Sequence, residues 1–127
     1  MTLTVLVVDD EVGGLTLASL ILQRKMGFNV IKAQDGEKGF EIAKRELPDL
    51  IISDDFMPKM HGLEMLKKLR NEPTTAHIPC ILIYINTSRE KARPAADRIE
   101  DAVLSAPYRP NHFMETVKTV LERRGLV

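Results

Sequence analysis

The sequence predicts an α/β fold, a doubly wound parallel sheet of five strands with helices on both faces. Three observations predict it. Short apolar runs alternate five times with stretches whose apolar residues recur at helical spacing. The central run, Leu50-Ile51-Ile52, lacks the polar alternation of a sheet wetted on one side and suits a strand covered on both faces. Two of the runs end in paired carboxylates, Asp9-Asp10 and Asp54-Asp55, at the carboxyl edge where open α/β sheets place ligands and chemistry. A chain of 127 residues is the size of one domain, taken as residues 1–127.

Taken in order, the β-branched run Thr4–Val8 forms the first strand. Leu15, Ala18, Leu22 and Met26 make a helical stripe that stops at Gly27, a natural residue just past a helix end. Gly13 and Gly14 weaken the start of that helix but let a neighbouring group come close. Residues 28–33 read as the second strand. Asp35 then caps a helix carrying Phe40, Ala43 and Leu47, which Pro48 ends. After the central strand, Leu63, Met65, Leu66 and Leu69 mark a short amphipathic helix.

Residues 78–85 form a fourth strand. The segment 86–98 contains Pro94 and scattered apolar residues, so its helix is short or starts late. Ala102–Ser105 is a brief fifth strand. Pro110 opens a last helix whose buried face is Phe113, Val117, Val120 and Leu121, before Gly125.

Eighteen basic and eighteen acidic residues give a formal net charge of zero, which argues against nucleic acid or a membrane surface held by bulk electrostatics. The single cysteine, Cys80, sits in an apolar run and reads as a small buried hydrophobe, consistent with a reducing, cytoplasmic setting. No stretch is long and apolar enough for a signal-peptide core or a membrane span. No glycine-rich phosphate loop is present, and no second nucleophile, general acid or basic substrate cluster points to a hydrolase. His61, His77 and His112 lack metal-ligand spacing. The Glu, Lys and Arg runs read as solvated helix faces and Asp55 as facing solvent.

Alone, Asp9-Asp10 is as readily a turn or cap as a metal site. A second carboxylate cluster at the same sheet edge shifts the reading towards one shared site. Such oxygens suit a hard cation such as Mg²⁺, and one carboxylate can act as a nucleophile towards phosphorus. Everything then depends on the loops after the first and third strands bringing Asp9, Asp10 and Asp54 into one cation-sized pocket.

The run Val7-Val8-Asp9-Asp10-Glu11, the stretch from Pro48 through Asp54, Met57-Pro58, Met60 and Gly62, and Pro107 after the last strand together resemble the receiver domain of two-component response regulators. The resemblance covers the whole chain and implies the flavodoxin-like, chemotaxis-regulator form of the fold, with strand order 2-1-3-4-5. It implies that Asp54 accepts a phosphoryl group and that Asp9, Asp10 and Asp54, with the backbone carbonyl of Phe56, hold Mg²⁺. It also makes Pro107 a candidate cis-proline. The partners implied are a sensor histidine kinase or phosphotransfer protein, a downstream protein on the face of the fourth helix, fifth strand and last helix, and a weak homodimer. A receiver is a phosphoacceptor rather than an enzyme, and at most takes phosphoryl groups from small donors and loses them again.

Three positions depart from the family pattern. Tyr84 stands where a Ser or Thr ends the fourth strand, Ala106 where a Lys precedes Pro107, and Val103 where the fifth strand has an aromatic residue. A phosphoryl group on Asp54 loses a charge-assisted contact worth about 1.5–3 kcal/mol, so altered switching is expected. Two unit charges about 4 Å apart repel by roughly 4 kcal/mol at an effective dielectric of 20, so the three aspartates should hold a divalent cation or protonate one carboxyl. Asn86, Thr87 or Ser88 are candidates to replace the missing hydroxyl, and Tyr84 either packs passively or permanently fills the space a mobile aromatic would visit. The functional expectation is phosphorelay signalling through Asp54. The alternative is a pseudo-receiver that binds partners without phosphorylation.

Overall fold

The computed structural model describes residues 2–85 and 87–127, with Thr87 described by its backbone alone. Five parallel strands form one sheet: β1 (Thr4–Val8), β2 (Asn29–Ala33), β3 (Leu50–Asp54), β4 (Cys80–Tyr84) and β5 (Ala102–Ser105). Their spatial order is β2-β1-β3-β4-β5, as expected. Between them run α1 (Val12–Leu20), α2 (Gly36–Glu46), α3 (Gly62–Asn71), the single-turn α4 (Thr87–Lys91) and α5 (Pro110–Arg123). The helix after β4 is thus short, and a 3₁₀ turn at Ala95–Asp97 follows Pro94.

Alternation along each buried strand divides the core in two. Val5, Val7, Leu50, Ile52, Ile81 and Ile83 face one side and pack with Leu15, Ala18, Leu22, Phe113 and Val117 of the first and last helical segments. Leu6, Val8, Ile51, Cys80, Leu82 and Tyr84 face the other and pack with Ala43, Met65, Leu66 and Leu69. Leu50, Ile51 and Ile52 are fully buried, each contributing about 1.5–3 kcal/mol. Coverage of both faces is why this strand carries no polar alternation.

Helix boundaries follow the local chemistry. The Asp35 side chain accepts a hydrogen bond from Lys38 N–H at 2.8 Å, capping α2, and Pro110 opens α5. The first helix widens into a π-helical turn, Ile21–Lys25, before Gly27 takes a left-handed φ of 73°.

The amino-terminal edge of the sheet is fastened by charge. The Asp101 carboxylate accepts from the Cys80 backbone N–H at 2.9 Å and from Arg124 Nε at 2.7 Å, with Arg70 NH2 at 3.4 Å. Arg70 NH1 also donates to the Ile78 carbonyl at 2.6 Å. One carboxylate thereby ties β4 and β5 to the ends of α3 and α5.

Candidate functional site

The opposite, carboxyl edge holds the acidic site. Strand register pairs Val8 with Ser53, so the residues that follow, Asp9 and Asp54, emerge side by side. Ligand oxygens of Asp9, Asp10 and Asp54 all lie within 4.8 Å of one another. The loops after β1 and β3 therefore converge as the sequence required. Asp9 is held by the Glu11 N–H, which donates to its Oδ1 at 2.9 Å. A Cβ at Gly14 would collide with the Asp9 carboxylate, and one at Gly62 with the Asp54 carbonyl oxygen. Both glycines are needed for these close approaches, Gly14 being the first-helix glycine that admits a neighbour.

Burial, reinforced by the negative charges of Asp9, Asp10 and Asp55, pushes the Asp54 carboxyl up to about 7. Asp9 is also raised, chiefly by burial. No ion pair among the described residues involves Asp9, Asp10 or Asp54. Three hard oxygen donors from carboxylates strained by mutual repulsion fit Mg²⁺ in chemistry and spacing.

Beside Asp54 opens a cavity of about 210 Å³ lined by Val7, Ile52, Ile83, Ile85 and Ala106. Ala106 is joined to Pro107 by a cis peptide bond, and its N–H donates to the Tyr84 carbonyl at 2.8 Å. Phe56, whose carbonyl the resemblance assigns to the metal, is 65% exposed and its ring lies 5.4 Å from that of His61.

Tyr84 is only 2% exposed; its ring lies in the core with Leu82 and Met57, Val103 packing on the margin. The Arg93 guanidinium sits 5.1 Å over the Tyr84 ring. The phenol has no hydrogen-bond partner among the described residues, and burial pushes it up to about 12, so it stays protonated. Of the candidates for a replacement hydroxyl, Asn86 and the Thr87 side chain lie outside the described residues; Ser88 sits exposed in α4.

Two sequence expectations are corrected here. Asp55 does not face solvent: it is 2% exposed, accepts from Leu63 N–H at 3.2 Å and pairs with Arg89 Nε at 2.8 Å. The reason is strand alternation, which turns Asp55 towards α3 and α4, away from Asp54. Nor are all the charged runs solvated. Arg93 and Glu100 form a bidentate pair at 2.7 and 2.9 Å, with side chains only 6% and 7% exposed. Their partnership spans seven residues of irregular backbone, which no helical period discloses.

Comparison with known proteins agrees with this arrangement. A family model described as the response regulator receiver domain matches residues 5–118. The chain is 32% identical over 123 residues to the alkaline phosphatase synthesis transcriptional regulatory protein PhoP of Bacillus subtilis, covering 97% of this chain and 50% of that protein. It is 31% identical over 121 residues to histidine kinase P4 of Formosa agariphila, covering 95% of this chain and 9% of the kinase. The chain thus spans half or less of the length of these curated relatives. Among solved structures, the chemotaxis response regulator CheY4 of Vibrio cholerae superposes with a TM-score of 0.86 at 31% identity, covering 95% of this chain and all of that one. A receiver domain protein of Methanospirillum hungatei reaches 0.88 at 24% identity, covering 98% of both chains, a likeness of fold.

Proposed function

The chain belongs to the response regulator receiver domain family, and from that membership we propose that it accepts a phosphoryl group on Asp54 from the phosphohistidine of a sensor histidine kinase or phosphotransfer protein. The observation that carries this is the convergence of Asp9, Asp10 and Asp54 within 4.8 Å. An Asp54 carboxylate oxygen attacks phosphorus and the phosphorus–nitrogen bond breaks. The electron pair stays with the imidazole, which leaves neutral when its other ring nitrogen is protonated. Asp9, Asp10, Asp54 and the Phe56 carbonyl would hold Mg²⁺, which when bound neutralises the charge crowded on these oxygens and on the incoming phosphoryl group. Asp54 must be ionised to attack, and with its carboxyl raised to about 7 relief of that repulsion is part of the reaction. The chain acts as phosphoacceptor rather than as a catalyst on separate substrates.

The output reading follows from α4, β5 and α5, the face on which a downstream protein, or a second copy in a weak dimer, would dock. Switching there is altered. Tyr84 already occupies the interior beneath Arg93, and Ala106 offers no ammonium to draw the loops inward on phosphorylation. The same two residues favour a second reading, a module that binds its partner whether or not Asp54 is modified.

Incubation with acetyl phosphate and Mg²⁺, read by intact mass, separates the two. A phosphoryl mass gained by the native chain and not by Asp54→Asn supports the receiver reading. No gain in either favours the phosphorylation-independent module.

A further inference from the structure

On the other side of β3 from the acidic cavity lies a second one of about 300 Å³, lined by Asp55, Phe56, Tyr84, Ile85 and Arg89. Two of its three polar side chains, Tyr84 and Arg89, are donors with capacity to spare, while the Asp55 carboxylate already accepts from Leu63 N–H and Arg89 Nε. The Tyr84 hydroxyl is buried and has no partner among the described residues, in a residue 2% exposed. A buried hydroxyl without an acceptor costs about 1–3 kcal/mol, so a site that leaves one open gains by admitting an acceptor. Arg89 spends Nε on Asp55, while its terminal nitrogens make no hydrogen bond to the described residues, leaving the forked end of the guanidinium for another oxyanion. The Arg89 side chain is 44% exposed, so this end is reachable. Flanking the donors are two large apolar side chains, Phe56 at 65% and Ile85 at 67% exposure.

We propose that this cavity binds a monocarboxylate with a short apolar tail, its oxygens accepting from Arg89 and the Tyr84 hydroxyl and its tail lying against Phe56 and Ile85. Asp55 limits the charge the ligand can carry. Its carboxylate neutralises one face of Arg89, so a single negative charge is tolerated where a multiply charged anion meets repulsion. The phenol, held protonated by burial and by the Asp55 charge, is a donor throughout the neutral range. Phosphoryl transfer plays no part in this binding.

The test is a titration of the purified chain with sodium butyrate, followed by amide chemical shifts without phosphodonor or Mg²⁺, alongside n-butanol, n-butylammonium and inorganic phosphate. Saturable butyrate binding in the millimolar range is expected, with shifts centred on residues 55, 56, 84, 85 and 89. Tyr84→Phe, which keeps the ring in the core, should weaken binding about tenfold, and Arg89→Gln should abolish it while Arg89→Lys restores part. The proposal is overturned if butyrate shows no saturable shifts, if butanol binds as tightly, or if Tyr84→Phe leaves the Kd unchanged. A chain that never gains a phosphoryl mass can still pass this test, and one that gains it can still fail, so the two readings stand or fall separately.

Discussion

Arg89 and Asp55 form an ion pair of 2.8 Å in which the carboxylate is 2% exposed and the guanidinium side chain 44%. This guanidinium is therefore committed to the aspartate that follows Asp54, on the far face of the strand. Removing it leaves a buried charge whose one remaining hydrogen bond among the described residues is from the Leu63 N–H. Arg89→Gln should cost about 2 kcal/mol, less than for a fully enclosed pair because water can reach the vacated space. Adding Asp55→Asn should recover most of that loss, measured as the coupling in a double-mutant cycle by urea denaturation.

The Arg93–Glu100 pair is enclosed on both sides, and Arg93 also covers the Tyr84 ring. Arg93→Met should destabilise the fold by about 3–5 kcal/mol, because it leaves the Glu100 carboxylate buried without its partner, and Glu100→Gln by less, because Arg93 keeps Glu90 and the Asp97 carbonyl. Chemical denaturation of the two variants gives the order; equal losses would contradict it.

Asp54 is raised from 3.8 to about 7 by folding. A carboxyl whose folded pKa lies above its unfolded value binds its proton more tightly in the native state, so stability is greatest at low pH and is lost as pH rises between those two values. Without divalent cations the Tm should fall from pH 4 to pH 7 on this account, and Asp54→Asn should flatten the slope. Mg²⁺ should raise the Tm most at the upper end of the window. Differential scanning fluorimetry across pH, with and without Mg²⁺, checks the sign.

Gly14 and Gly13 adjoin, yet only the first is crowded. A Cβ at Gly14 would meet the Asp9 carboxylate, whereas one at Gly13 meets nothing within 4 Å. Gly14→Ala should weaken Mg²⁺ affinity by about tenfold or more by displacing a ligand, with Gly13→Ala as the matched control that leaves it near native. Calorimetric titration of Mg²⁺ compares them.

Most of the architecture was legible because the strands are buried on both faces and their composition says so: Leu50-Ile51-Ile52 and Thr4–Val8 required no tertiary information, and the carboxylates that follow them inherit their position from the register. What was not legible is whatever depends on a contact across irregular backbone. Asp55 reads like any loop aspartate until strand alternation turns it inward onto Arg89, a residue 34 positions away. Arg93 and Glu100 look like solvated charge until the turns around Pro94 fold them together. The π-helical turn at Ile21–Lys25 leaves no mark in the apolar stripe, since one inserted residue shifts the face by less than the width of the stripe.

The Asp101 clasp implies a division of labour along the strands. Its bonds to Cys80, Arg70 and Arg124 anchor one rim of the sheet, while the carboxylates of Asp9, Asp10 and Asp54 sit at the other. Opening at the acidic rim can thus proceed while the far rim stays closed, and amide protons should exchange with deuterium last near Asp101 and first around Ile85.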